Sequence, residues 1–268
     1  MTGEITGEMT GVSGPLLDVR GLTKRYGPRR ACDGVGFTLH PGEVLAVVGE
    51  SGSGKSTLLG LIAGEIAADA GTVSYRMRDG VTRELAALGA AERRALMRTD
   101  WGFVRQDATQ GLRMAVSAGG NVGERLMGVG ARHYGRIRAE ALDWLARVEI
   151  DADRVDDPPT RFSGGMRQRL QIARNLVTAP RLVLMDEPTS GLDVSVQARL
   201  LDTIRGLVAE LGLAVIIVTH DLAVARLLSH RVLVMRGGRV IETGLTDQVL
   251  DDPQAAYTQL LVASVLTA

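Results

Sequence analysis

One eight-residue segment constrains this chain more than any other part of its sequence. Residues 49–56, GESGSGKS, fit the pattern G-x-x-x-x-G-K-[ST]. They follow a short apolar run at 43–49, typical of a parallel strand buried on both faces, and precede a helical stretch from Lys55 to about Ala63. In such a loop the backbone N–H groups surround phosphate oxygens, the lysine reaches the β- and γ-phosphates, and the Ser56 hydroxyl can ligate Mg²⁺. The pattern predicts a phosphate site within an α/β fold.

Two adjacent carboxylates end a second apolar run, LVLMDEP at 182–188. Carboxyl ends of parallel strands are where α/β sheets bind ligands. Alone, the pair is a weak signal, since acids also begin helices. Following the phosphate loop, it predicts that Asp186 holds Mg²⁺ through water and that Glu187 orients the attacking water or takes its proton.

The remaining pattern predicts a parallel α/β core with two additions. Buried-strand runs recur at 214–220 and 231–235, separated by helical stretches. At the N-terminal side, Leu16–Tyr26 alternates like an edge strand and Gly34–Leu39 resembles its antiparallel partner. From Ala90 to about Val148 the signal is helical, with no second buried strand. We expect a disordered tail at 1–15, one domain over 16–268, and a helical subdomain inserted at 90–157.

Composition narrows the classes of function. The 268 residues carry 31 basic and 31 acidic side chains, and this balance argues against binding to nucleic acid through overall charge. The longest apolar run, Leu213–Val218, is far too short to cross a bilayer, and residues 1–14 lack the features of a signal peptide. The one cysteine, Cys32, cannot form an internal disulfide, so we expect a reducing, cytoplasmic location.

The other motifs resemble those of the ATP-binding-cassette ATPases, in that family's order. Phe162–Met166 (FSGGM) resembles the signature LSGGQ, and Ser190–Asp193 (SGLD) resembles the D-loop. Gln106 resembles the Q-loop glutamine, and His220 the switch histidine. The resemblance implies an ATPase with a P-loop core containing a parallel sheet, an N-terminal antiparallel β subdomain and a helical insert, using ATP and Mg²⁺.

The resemblance also assigns site residues. In the family ATP lies between two subunits, so a homodimer is implied in which Ser163 and Gly165 contact the nucleotide on the partner's P-loop. Catalysis would involve Glu187, His220 and Gln106, and the metal would be held by Ser56, Gln106 and Asp186. Tyr26 resembles the aromatic residue that stacks on adenine, although a surface aromatic on an edge strand remains the alternative. Nucleotide contacts are expected at Tyr26, Gly49, Glu50, Ser51, Gly52, Ser53, Gly54, Lys55, Ser56, Thr57, Ser163, Gly164, Gly165 and Asp193.

Two branches of the family compete for this chain. Residues 186–201 and the tail segment Asp252–Leu261 (DPQAAYTQLL) resemble peptide and nickel importers. The stretch Asp107–Arg113 departs from that branch, while 116–139, 154–160 and the tail resemble the ATP-binding protein of the phosphonate carbon–phosphorus lyase system. That resemblance implies an ATPase for a cytoplasmic carbon–phosphorus lyase complex, with no membrane insertion. A peptide or nickel importer at a membrane is the alternative; DNA-repair or ribosome ATPases usually need a coiled-coil insertion or two cassettes.

The insert has a charge asymmetry. Between Glu92 and Arg138 there are nine arginines against four carboxylates, a net charge of +5. A solvated helical face is one interpretation. The other is a docking face for an acidic partner, formed with a glycine-rich loop at Ala118–Gly123.

Overall fold

The computed structural model describes residues 14–266, so the predicted N-terminal tail lies almost wholly outside the described residues. Its strands are β1 (Leu17–Tyr26), β2 (Arg29–Leu39), β3 (Val44–Val48), β4 (Ala70–Arg76), β5 (Thr82–Glu84), β6 (Trp101–Val104), β7 (Leu182–Asp186), β8 (Ala214–Thr219), β9 (Arg231–Arg236) and β10 (Arg239–Leu245). The helices are α1 (Lys55–Ile62), α2 (Ala90–Thr99), α3 (Ala108–Gly111), α4 (Ala118–Gly128), α5 (Tyr134–Arg147), α6 (Gly164–Leu176), α7 (Val194–Leu211), α8 (Leu222–Leu228), α9 (Thr246–Asp251) and α10 (Ala256–Leu266).

A six-stranded sheet organises the core, in the order β10-β9-β3-β8-β7-β6. All neighbours are parallel except β10, which pairs antiparallel with β9. Successive residues of β3 enter different apolar clusters, Ala46 on one face and Leu45 and Val47 on the other. Burial on both faces is why these strands read as continuous apolar runs. The predicted α/β fold is confirmed.

A second sheet has the order β2-β1-β4-β5 and is antiparallel. This sheet confirms the N-terminal β subdomain but corrects two details. β1 pairs on both sides, so it is an interior strand and not an edge strand, and β2 begins at Arg29, five residues before the predicted start. Alternation along β1 therefore reported a half-buried face and gave no information about its position in the sheet.

The helical insert contains one strand that the sequence did not reveal. Trp101–Val104 forms β6, which pairs with β7 at the edge of the parallel sheet. With four residues it is too short to stand out from the surrounding helical composition. The prediction of no buried strand in this segment was wrong, and the boundaries 90–157 stay a prediction.

Candidate nucleotide-binding site

The loop 49–56 connects β3 to α1 and encloses the side chain of Lys55. The Lys55 Nζ atom donates to the carbonyl oxygens of Gly49, at 2.8 Å, and Glu50, at 3.0 Å. An ammonium group has three N–H donors, so one is left for an anion in the adjoining cavity. Burial lowers the pKa of Lys55, while the charges of Glu187 and Asp186 oppose that shift. The loop thus holds a buried cation next to two carboxylates.

Two glycines of this loop are required by close backbone contacts. Gly49 has φ 147° and Gly54 has φ 109°. A Cβ atom on Gly49 would lie 2.2 Å from the carbonyl oxygen of Met235, and one on Gly54 would lie 2.0 Å from that of Ala31. Both positions combine positive φ with contact to another strand's backbone, which only glycine allows. The loop is therefore fixed from both sides by the ends of β9 and β2.

The two predicted carboxylates lie beside this loop at the end of β7. Asp186 Oδ1 accepts a hydrogen bond from the Ser56 hydroxyl at 3.1 Å. Burial raises the pKa of Asp186, and the charge of Glu187 adds to this, against the hydrogen bond from Ser56. Within residues 14–266 no group of three His, Cys, Asp or Glu side chains could hold a metal. A hydroxyl and a single carboxylate fit a hard cation such as Mg²⁺, which keeps waters and phosphate oxygens as its other ligands.

Glu187 has an unusual backbone conformation and contacts a histidine. Its φ is 45°, in the left-handed region, and its N–H donates to the carbonyl oxygen of Val218 at 2.8 Å. The Oε1 atom lies 2.8 Å from Nδ1 of His220, so the two predicted catalytic side chains contact each other. Strained backbone of this kind is common at functional sites.

Gln106 follows β6 and faces the same space. Its side-chain amide donates to the Ser190 hydroxyl at 3.3 Å. The backbone just before it is held by α6, because Gln168 and Gln171 both donate to the carbonyl oxygen of Arg105, at 3.2 and 3.3 Å. The sequence analysis did not predict a role for Gln168 and Gln171. Their spacing of three residues, which places both on one face of α6, is the one sequence signal that could have indicated it.

A cavity of about 450 Å³ joins Lys55, Gln106, Glu187 and His220, and Asp186 is not among its lining residues. Its lining includes one residue that the sequence analysis missed, Arg29, whose Nη2 donates to the carbonyl oxygen of Gly52 at 2.7 Å. Arg29 lies opposite Tyr26 in the β1–β2 hairpin. Tyr26 itself is 50% exposed and does not line the cavity. The cavity is lined by Arg29, Ser51, Gly52, Gly54, Lys55, Ser56, Thr57, Gln106, Glu187 and His220.

The predicted signature residues lie apart from this cavity. Ser163 caps α6, its hydroxyl accepting from the Met166 N–H at 3.3 Å, and Gly165 packs so closely that a Cβ would lie 2.7 Å from Val196. Ser163 and Gly165 line a separate cavity of about 210 Å³. Asp193 precedes α7, is exposed and makes no side-chain capping bond. One chain therefore does not bring Ser163, Gly165 or Asp193 onto its own phosphate loop.

Comparisons with known proteins define the class. The pattern of the family described as ABC transporter matches residues 32–190, more than half of the chain. The chain belongs to this family and is an ABC ATPase, an ATP-binding and ATP-hydrolysing subunit.

Among individual relatives, the chain is 63% identical over 252 residues to an Escherichia coli K12 protein whose name describes a phosphonates utilization ATP-binding protein, PhnK. The match covers 94% of this chain and 98% of that protein. It is 38% identical to a protein of Brucella melitensis biotype 1 named for peptide import, covering 94% of this chain and 78% of that one.

Solved structures of other ATP-binding cassettes share this fold. The ATP-binding cassette MJ0796, a dimer in a post-hydrolysis state with ADP and Pi, aligns with TM-score 0.76 at 29% identity, over 86% of this chain and 98% of that one. The cassette cbiO1 of Clostridium perfringens, part of the transporter complex cbiONQ, aligns with TM-score 0.77 at 28% identity, over 89% and 91%. Across residues 14–266, no helix combines the length and apolar character needed to traverse a membrane.

Proposed function

We propose that two copies of this chain bind ATP between them, each supplying the phosphate loop for one nucleotide and the signature loop for the other. The observation that supports this is the separation just described, in which Ser163 and Gly165 line a different cavity from Lys55. Lys55 and the loop amides would hold the phosphates, Ser56, Asp186 and Gln106 the Mg²⁺, and Tyr26 the adenine. Asp193 and Gly164 would contribute from the partner's side.

Hydrolysis would depend on the Glu187–His220 pair. The 2.8 Å contact shows that both side chains reach the same point at the end of the sheet. Glu187 would orient the attacking water and accept its proton, and His220 would hold the γ-phosphate while Gln106 aligns the water. Mg²⁺, when bound, would neutralise charge developing on the phosphate oxygens.

We further propose that this ATPase acts on the cytoplasmic carbon–phosphorus lyase complex of phosphonate use. Two observations support this proposal. Residues 116–139 resemble the ATP-binding protein of the carbon–phosphorus lyase system, and the chain is 63% identical to a relative named for phosphonates utilization, over 98% of that relative's length. The importer alternative rests on 38% identity over 78% of the relative's length, and it is the competing outcome of the test below.

The segment proposed to meet that complex differs from its sequence interpretation. Ala118–Gly123 is the beginning of helix α4 and not a loop. Its glycines let α4 pack closely: a Cβ on Gly119 would lie 2.7 Å from Val155, and one on Gly123 would lie 2.7 Å from Ile137. Above them lies a groove of about 210 Å³ whose rim includes Met127 and Tyr134, 48% and 74% exposed.

Most arginines of the segment already have partners within the chain. Arg113 pairs with Glu124 and Arg138 with Asp156, while the half-buried Arg125 donates to two backbone carbonyls. Arg132 donates to the carbonyl oxygens of Met127 and Ala131, and no carboxylate of the described residues pairs with it. Among the described residues the Arg136 guanidinium has no partner. Arg94 and Arg98 are exposed as well, but they do not line the groove, whereas Arg132 lines it and Arg136 lies between its lining residues Tyr134 and Ile137 on α5. We therefore place the docking charge at Arg132 and Arg136.

A pull-down with the purified lyase core tests this proposal. Arg132→Glu with Arg136→Glu should weaken recovery at least about tenfold at low salt and leave the ATPase activity of the isolated protein intact. The matched control, Arg20→Glu with Arg205→Glu, makes the same charge change at exposed positions outside the insert. Equal recovery of both double variants would contradict the proposed surface. Recovery of a membrane permease in place of the core would favour the importer.

A further inference from the structure

The tail segment Asp252–Leu261 resembles both competing branches of the family in the sequence, and the nucleotide site described above gives it no role. In the structure it begins α10, which packs against α9 and β10. The side chain of Tyr257 extends from α10 to the phosphate loop, where its hydroxyl oxygen accepts a hydrogen bond from the Glu50 N–H at 3.2 Å. The contact joins residues 207 positions apart in the chain.

Tyr257 is held firmly in this position. It is 6% exposed, and the Arg236 guanidinium lies 4.6 Å from the centre of its ring. The start of α10 is fixed as well, because the Glu242 carboxylate accepts hydrogen bonds from the N–H groups of Gln254, at 2.8 Å, and Ala255, at 3.0 Å. The helix is thereby anchored on β10 before it reaches the loop.

The contact between Tyr257 and Glu50 is important because Glu50 also binds Lys55. The Glu50 N–H is bound by Tyr257, and its carbonyl oxygen accepts from Lys55 Nζ at 3.0 Å. A single residue thus connects the tyrosine to the lysine that faces the cavity. On the opposite side of Glu50, Gly49 lies against the end of β9. We infer that Tyr257 is a positioning residue for nucleotide binding, with its hydroxyl fixing Glu50 so that Lys55 is aimed at the phosphates.

This inference rests on the proposed nucleotide site, and Tyr257→Phe tests it. The substitution removes the hydroxyl and keeps the buried ring, so the melting temperature should stay nearly constant. Loss of one net hydrogen bond should raise the Kd of a fluorescent ATP analogue about three- to tenfold. In steady-state hydrolysis the KM for ATP should rise by a similar factor, and kcat should change less than about twofold.

Two further variants make the test decisive. Leu260→Ala, at a 64% exposed position of the same helix, should leave the Kd unchanged. Lys55→Ala should abolish binding of the analogue. If Tyr257→Phe binds like the wild type while Lys55→Ala does not bind, the inference is overturned and the nucleotide site stands. If Lys55→Ala also binds normally, the proposed site and this inference both fail.

Hydrogen exchange at the loop separates positioning from simple anchoring of the tail. In Tyr257→Phe the amide of Glu50 loses its acceptor, so a peptide spanning the phosphate loop should exchange faster while peptides of β10 and α9 stay protected. Faster exchange throughout the C-terminal segment, with the phosphate loop unchanged, would show a purely structural role and would also overturn the inference.

Discussion

Two aspartates at opposite ends of the same sheet, the buried Asp100 and the half-buried Asp186, are in contrasting electrostatic states. Asp100 directly precedes β6, and Asp186 ends the neighbouring strand β7. Both are removed from water, which by itself raises the pKa of a carboxyl group. The pKa of Asp186 is raised, with burial as the largest cause, whereas the pKa of Asp100 is lowered despite its burial.

The difference lies in their partners. Asp100 is 2% exposed and is bound by Arg181 at 2.5 Å, by Arg78 at 2.6 Å and by the Tyr75 hydroxyl at 2.7 Å. These hydrogen bonds outweigh the cost of burial. The Asp186 side chain accepts a hydrogen bond from the neutral Ser56 hydroxyl, and Lys55 and Arg105 act on it through their charge without a hydrogen bond. A buried carboxylate bound by several charged donors stabilises the fold, whereas one that accepts from a single neutral hydroxyl has oxygen lone pairs left to bind a cation.

The largest effect is expected at the residue next to Asp186. Glu187→Gln keeps the shape of the side chain and removes the base, so kcat should fall by about 10²- to 10⁴-fold while ATP still binds. Trapped ATP should hold two chains together, and size-exclusion chromatography with ATP should show a dimer. The control is Glu210→Gln, an exposed substitution on α7. A variant that retains hydrolysis, or one that binds ATP as a monomer, would contradict the assigned role.

The next prediction exchanges the two aspartates for neutral residues. Asp100→Asn leaves Arg181 without its ionic partner and should lower the free energy of unfolding by about 3 kcal/mol. Asp186→Asn removes a charge whose partial burial is unfavourable and should leave this free energy unchanged or raise it. Chemical denaturation of the nucleotide-free proteins measures both. Equal destabilisation by the two substitutions would show that Asp100 and Asp186 contribute alike to the stability of the fold.

The pH dependence of the free energy of unfolding distinguishes Asp100 from Asp186 further. Because the folded pKa of Asp100 is depressed, its stabilisation is present above the ordinary value of 3.8 and is lost as the pH falls through the folded pKa. The deficit of Asp100→Asn should therefore shrink below pH 3.8. Because the folded pKa of Asp186 is raised, its destabilising charge is present above that pKa, and any gain in Asp186→Asn should fade on acidification, from above pH 3.8.

The sequence was informative where chemistry is local. The phosphate loop and the carboxylates of 186–187 are short contiguous patterns, and each lies at the strand end where the pattern predicted it. Strand β6 and the interior position of β1 were not predicted, because strand order depends on pairing between distant segments. The glycines of α4 were mistaken for a loop, since close packing against Val155 and Ile137 is invisible in a single sequence.

The unpredicted contacts of the site share this long-range origin. Arg29 reaches Gly52 through the β1–β2 hairpin, and Tyr257 reaches Glu50 from the other end of the chain. No spacing rule connects such residues. The tail segment was recognisable in the sequence as a family resemblance. Its contact with the phosphate loop became visible only in the folded structure.

The Mg²⁺ dependence of nucleotide affinity tests the central claim most directly. Calorimetric titration with a non-hydrolysable ATP analogue gives the Kd with Mg²⁺ and with a chelator. In the wild type and in Tyr75→Phe, which alters only the Asp100 cluster, Mg²⁺ should tighten binding by at least about tenfold, or about 1.4 kcal/mol. In Asp186→Asn the Mg²⁺ effect should fall below about twofold. A full Mg²⁺ effect in Asp186→Asn would contradict the account, because Mg²⁺ would then bind without the Asp186 carboxylate.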